Sequence, residues 1–143
     1  MLQAYPVVLK PDGDGGVMAR FPDVPEAMTV GADEANALQW AQDALVVALS
    51  GYQDEKRDIP QPSRPRRGQP TVALPPLVAI KLVIYQAMRD QGVSQIELAG
   101  RLGCDARQVR RILDLDHSSR LDLLERTLAA LGKRLLVDIQ NAA

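Results

Sequence analysis

The sequence predicts an α+β chain, with a small unit of strands and one helix in front and a cluster of helices behind. Three observations carry this reading. The first third alternates short apolar runs with turns rich in Gly, Asp and Pro, then enters one helical stretch. The second half repeats apolar residues at helical spacing between capping residues and glycine stops. Between the two, six of the ten prolines lie from Pro60 to Pro76, and proline at that density fixes φ and removes donors, so no helix or central strand can pass. The boundaries drawn are 1–53 for the front, 54–75 for a linker or exposed edge segment, and 76–143 for the back.

In the front, Tyr5 to Lys10 and Val17 to Phe21 are apolar runs separated by Pro11-Asp12-Gly13-Asp14-Gly15-Gly16, whose Gly and Asp tolerate the positive φ of tight turns. A β-hairpin is the natural reading. Pro22-Asp23-Val24-Pro25 makes a second turn, and Met28-Thr29-Val30 supplies a third short strand. Asp33 offers an N-cap before a helix in which Ala37, Leu38, Ala41, Leu45, Ala48 and Leu49 share a face, with Gly51 at its end.

In the back, Pro76 to Gly92 reads as a helix with a proline start and a glycine stop. Ser94 with Glu97 makes a capping box for the next helix, whose apolar face is Ile96, Leu98, Ala99 and Leu102, and Gly103 ends it. Asp105 caps a further short helix with Val109, Ile112 and Leu113 inward. Two short helices joined through Leu102-Gly103-Cys104-Asp105 are a helix-turn-helix arrangement, whose second helix enters the major groove of DNA. Ser118 or Ser119 caps a last helix closed by Leu121, Leu124, Leu128 and Leu131, and Lys133 to Gln140 has the composition of a strand able to pair with a second copy.

The positions of the second short helix that face away from its apolar side are Ala106, Arg107, Gln108, Arg110 and Arg111. Arginine pairs bidentately with guanine, glutamine with adenine, and a small Ala near the helix start lets it approach the bases. Helix phase makes Arg107 and Arg111 base readers, with Arg110 and Gln108 on phosphates or flanking groups. Ser94 and Gln95 open the preceding helix, where free N–H groups favour a phosphate.

Composition excludes several classes. The net charge of −1 is an average: two basic residues face seven acidic ones over 1–53, five face three over 54–76, and ten face eight over 77–143. The front is acidic and the remainder basic. Aromatics at 3% disfavour an RNA-binding surface of stacked rings. A single cysteine, Cys104, excludes a disulfide framework and suits a reducing compartment. No apolar run approaches the roughly 20 residues of a membrane span, and the start at Met1-Leu2-Gln3 lacks the basic flank of a leader, so a cytoplasmic location is expected. Asp12 and Asp14 begin like a calcium loop, but Gly16 stands at the next ligand position and the closing glutamate is missing. Turn chemistry accounts for these aspartates; neither metal, cofactor nor catalysis is expected. His117, the only histidine, has no second histidine or cysteine as a metal-binding companion.

Nearly the whole chain resembles a HicB-type antitoxin of the form that carries a helix-turn-helix. The resemblance rests on Tyr5-Pro6-Val7, Gly15-Gly16-Val17, Phe21-Pro22-Asp23-Val24-Pro25, Thr29-Val30-Gly31, Asp33-Glu34-Ala35 and Ile59-Pro60 with Pro62-Ser63 in front. Behind, it rests on Ser94-Gln95, Glu97-Leu98-Ala99 with Leu102-Gly103, and Arg120-Leu121-Asp122 through Leu131-Gly132-Lys133-Arg134-Leu135. The chain departs from the family pattern at Glu26, where glycine is usual after the turn. The resemblance implies a partial RNase H-like front of βββαβ order without catalytic carboxylates, with Thr71-Val72-Ala73 as the fourth strand, and an Xre/Cro-like helix-turn-helix behind. It implies a partner, HicA, a small basic mRNA-cleaving toxin of double-stranded-RNA-binding-domain fold that uses a histidine. Toxin contacts are expected at Asp12, Asp14, Phe21, Asp23 and Glu26. It implies repression of the chain's own operon, with homodimers or tetramers reading an inverted repeat.

An acidic front suits a basic partner independently of the resemblance. Two rivals stand beside this reading. One is a one-component transcription regulator whose front senses a small ligand; the other is a metal-dependent nuclease using Asp12, Asp14 and Asp23.

Overall fold

The computed structural model describes residues 4–142; Met1 to Gln3, whose lack of a basic flank entered the reading above, and Ala143 lie outside them. The chain runs β1 (Ala4–Pro6), β2 (Val8–Pro11), β3 (Val17–Phe21), β4 (Val24–Gly31), α1 (Glu34–Asp54), β5 (Thr71–Ala73), α2 (Pro76–Gln91), α3 (Gln95–Leu102), α4 (Ala106–Leu113) and α5 (Leu121–Ala130). It is a mixed α+β structure.

The first expected strand is broken at Val7, which lets its halves serve two sheets. β1 pairs antiparallel with β5, Tyr5 opposite Val72, while β2, β3 and β4 form an antiparallel meander. The hairpin tip closes with Asp12 N–H donating to Gly16 O at 2.8 Å, and Gly15 takes φ +91°, which glycine supplies without strain. The second turn is only Pro22-Asp23. Val24 already pairs with Phe21, so Val24 and Pro25, expected in the turn, belong to the strand instead, and the third strand runs eight residues. The register then shifts: Arg20 faces Met28, so Pro25, Glu26 and Ala27 bulge from the edge strand, where the proline's missing N–H breaks no ladder.

α1 lies across this sheet with Ala37, Ala41, Leu45 and Leu49 buried. A Cβ on Gly31 would collide with the Ala37 backbone nitrogen, so glycine permits the close approach of β4 to the helix start. Asp33 caps the helix through Asn36 N–H at 2.8 Å. Gly51 does not end it. The helix continues to Asp54 because Tyr52 is buried one position later, and glycine inside a helix costs only about 1 kcal/mol.

Residues 55–70 form no helix or strand, as their prolines require, but they are not a free linker. Ile59 is buried in the front core, the Tyr5 hydroxyl donates to Pro60 O at 2.6 Å, and Ser63 donates through N and Oγ to Asp23 Oδ2 at 2.8 and 2.9 Å. Burial of the Tyr5 hydroxyl pushes its pKa well up. From the other side Tyr85 donates to Arg57 O, and Gln86 accepts from Ile59 N–H. The segment is a docked strap.

α2 joins the two halves. Its Val78 and Leu82 enter the front core with Tyr5, Phe21 and Leu45, while Ile84, Ala87 and Met88 enter a second core with Leu98, Val109, Ile112, Leu124 and Leu128. Leu115, just after α4, packs into the front core. In the back, four expectations change. Ile96 is 80% exposed, because its helix phase sets it beside the face of Leu98 and Ala99. Leu121 is also exposed, while Leu124, Leu128 and Leu131 are buried. Neither serine caps α5: it starts at Leu121 with no side-chain cap, and Ser119 is buried for another purpose described below. Residues 133–142 carry no strand in the single chain, where no ladder partner faces them.

Candidate functional site

Two surfaces carry the chemistry. In the front, the tips of the meander separate the expected contact residues. Asp12 and Asp14 sit at one end of β3 and Asp23 and Glu26 at the other, and the five residues between span about 16 Å at strand rise. The nuclease alternative needed Asp12, Asp14 and Asp23 together, and the hairpin geometry keeps them apart. Among the described residues no group of three His, Cys, Asp or Glu is placed to hold a metal. Phe21 is buried in the core, so it supports the surface from below and offers no ring to a partner. Asp23 holds the strap through Ser63.

Glu26, the departure from the family pattern, has a structural use. Its carboxylate accepts from the Tyr52 hydroxyl at 2.8 Å and from Arg57 Nη1 at 3.4 Å, and the Arg57 guanidinium lies 4.1 Å above the Tyr52 ring. The Tyr52 hydrogen bond, with help from backbone N–H and Arg57, holds the Glu26 carboxyl below its ordinary value of 4.5. This cluster closes one end of an open groove of about 510 Å³ between β4 and α1. Met28 and Thr29 line it from the strand; Trp40, Ala44 and Val47 line it from the helix. Trp40 and Val47 are 52% and 71% exposed. Sequence reasoning passed over both, since an apolar residue off the core face leaves no periodic signal.

In the back, α3 and α4 are joined by three residues, with Gly103 left-handed at φ +67°. Ser94 caps α3 by accepting from Glu97 N–H at 3.0 Å. The Glu97 carboxylate does not return to complete a capping box; it accepts from Arg101 at 2.8 Å, one turn along. Asp105 caps α4 through Gln108 N–H at 2.9 Å. Arg107, Arg110 and Arg111 project into solvent, and among the described residues none of the three makes an ion pair. Ala106 and Gln108, also expected on the outer face, are half-buried. Gln95 and Arg110 line one cleft with Gln53 and Asp54 of α1.

The C-terminal end of α4 is fixed by groups from outside its own helix pair. Lys81 of α2 is fully buried, and its ammonium donates at 2.8 Å to Arg111 O, Asp114 O and Ser119 Oγ. Gln53 of α1 donates to Leu113 O at 3.0 Å. Carbonyls left unpaired at a helix end are thereby satisfied, and a cation sits where the helix dipole favours one. Burial lowers the Lys81 pKa, and Asp114 opposes the shift. Nothing in the sequence marked Lys81, and Ser119 stood out only as a candidate helix cap, because Lys81 reaches its three partners across 30 or more residues.

Comparison with known proteins bears on these surfaces. Residues 4–83, which include the whole meander, α1, the strap and β5, match the family described as HicB_like antitoxin of bacterial toxin-antitoxin system. Antitoxin HicB 1 of Photorhabdus laumondii is 40% identical over 136 residues, 95% of this chain and 86% of that one. Antitoxin HicB of Escherichia coli K12 is 36% identical over 131 residues, covering 92% and 95%, and that of Pseudomonas fluorescens is 36% identical over 129 residues, covering 90% and 88%. Among the described residues no helix is long and apolar enough to cross a membrane. With most of the front matched by the family and nearly its full length matched by named antitoxins, the chain belongs to the HicB-like family of bacterial toxin–antitoxin antitoxins.

Proposed function

We propose that this chain is an antitoxin with two working surfaces: an acidic front that binds and occludes a HicA-type mRNA-cleaving toxin, and a basic back that binds operator DNA and represses its own operon. The observation that carries the reading is the likeness, over nine-tenths or more of this chain, to proteins named antitoxin HicB. The front serves as a partial RNase H-like unit without a catalytic carboxylate set, and α3 with α4 as an Xre/Cro-like helix-turn-helix. The toxin acts on RNA and so carries cations; a front of net −5 steers and covers it. On α4, Arg107 and Arg111 read bases and Arg110 meets phosphate, with Ser94 and Gln95 at a flanking phosphate. A homodimer or tetramer presenting two such helices about 34 Å apart reads an inverted repeat. The front groove is open to solvent, a shape better suited to a protein segment than to an enclosed metabolite.

The test is to purify the chain with a cognate HicA-type toxin and follow RNA cleavage. Stoichiometric loss of cleavage supports the reading; a toxin left fully active by excess chain refutes it.

A further inference from the structure

We propose that the groove between β4 and α1 is the toxin-docking site, and that the toxin enters it as an added β-strand along the free edge of β4. The proposal rests on the antitoxin reading and deepens it by naming the surface. Among the described residues β4 pairs only with β3, so its other edge offers unpaired backbone N–H and C=O groups. Exposed edges are usually guarded by charge, proline or a bulge. Here those guards are confined to the first half of β4, at Pro25, Glu26 and the register shift, while Ala27 to Gly31 contains no charged residue and no proline.

Beside that unguarded edge stand apolar side chains with no covering element. Met28 is 58% exposed and lines the groove together with Trp40 and Val47. A Trp held on a helix flank is the kind of rigid anchor that dominates protein interfaces, and an added strand gains affinity from main-chain hydrogen bonds and specificity from such side pockets.

Charge selects the occupant. From Pro22 to Glu55, the stretch that builds β4 and α1, seven residues are acidic and none is basic. Asp43 and Glu55 line the groove itself, beside Glu26; Arg57 also lines it and pairs with Glu26 and Glu55, so the lining keeps an acidic excess with Asp43 outside those pairs. A second copy of this chain would bring the same acidic edge and be repelled. The segment that fits is a strand of a basic protein, with lysine or arginine toward the rim and an apolar residue toward Trp40. The Asp12–Gly16 hairpin, at the far end of β3, stands outside this site.

The test uses the full chain and its cognate toxin. Trp40→Ala and Val47→Lys alter exposed positions, so the melting temperature and operator affinity should stay at the wild-type values while the toxin dissociation constant rises at least tenfold. Hydrogen exchange on the wild-type complex should show new protection at amides of Ala27 to Gly31 and none at Asp12 to Gly16. Unchanged toxin affinity in both variants, or protection on the hairpin instead of β4, overturns the groove. A wild-type chain that does not bind the toxin at all refutes the antitoxin reading instead, so the two failures are distinguishable.

Discussion

Two acidic residues of the front and the three arginines of α4 are held in opposite ways. In the front, Glu26 is engaged at the groove by Tyr52 and Arg57, and Asp23 is engaged by Ser63 of the strap, so these charges are knitted into the fold. On α4, Arg107, Arg110 and Arg111 stand in solvent with no ion pair among the described residues. The difference fits the two partners proposed for these surfaces. A folded protein partner is bound by fixed shape and apolar anchors, for which rigid surroundings save ordering cost. A phosphate backbone is bound by free cations that release counterions, and a cation already paired contributes little. What the two halves share is α2 and the end of α4.

The tie between them should show the largest single effect. Lys81→Ala leaves two backbone carbonyls and the Ser119 hydroxyl without their donor inside the protein. A loss of about 4 kcal/mol in unfolding free energy is expected by urea titration, with operator affinity falling as α4 loosens. A loss below about 1 kcal/mol would mean that water takes over the donor's place and the halves are held by packing alone.

Smaller and confined to the back, Arg107→Ala should cost about 1 to 3 kcal/mol of operator affinity and relax base preference at one position of each half-site. Arg110→Ala should instead lower the slope of log affinity against log salt by about 1, equally across sequences. Both should leave the unfolding transition alone, since neither guanidinium is paired. Equal loss on specific and random DNA in Arg107→Ala would remove its base-reading role.

The smallest expected effect lies in the front. Because the folded-state pKa of Glu26 is below its ordinary value of 4.5, its contribution to stability is complete above that value and is lost as pH falls through the lowered one. Glu26→Gln should therefore lower the neutral plateau slightly and so flatten the acid limb below pH 4.5, with no difference left at lower pH; the effect is small because the group is half-exposed and solvent-screened. An unaltered acid limb would leave the cluster with Tyr52 and Arg57 as surface decoration.

Local signals carried most elements into view. Asp33, Ser94 and Asp105 cap helices where short-range chemistry placed them, and Gly92 and Gly103 stop helices in the left-handed conformation that favours glycine. What escaped was decided by distant partners. Gly51 continues a helix because Tyr52 finds the core, and Ser119 leaves its expected capping role because Lys81 reaches it from α2. The docking of the strap depends on Asp23, Tyr85 and Gln86, each distant in sequence. Among the candidate residues, the exposure of the α4 arginines was legible from helix phase, whereas the groove was not. Met28, Trp40 and Val47 become a surface only when β4 and α1 are set side by side.

The central claim is that the two surfaces work separately within one tied frame. The most direct measurement is a titration of toxin-catalysed RNA cleavage with the full chain in which Arg107, Arg110 and Arg111 are all replaced by Ala. The account predicts inhibition at the same stoichiometry as the unmodified chain, from a protein that no longer binds its operator. Loss of toxin inhibition by this variant while its melting temperature is unchanged would contradict it.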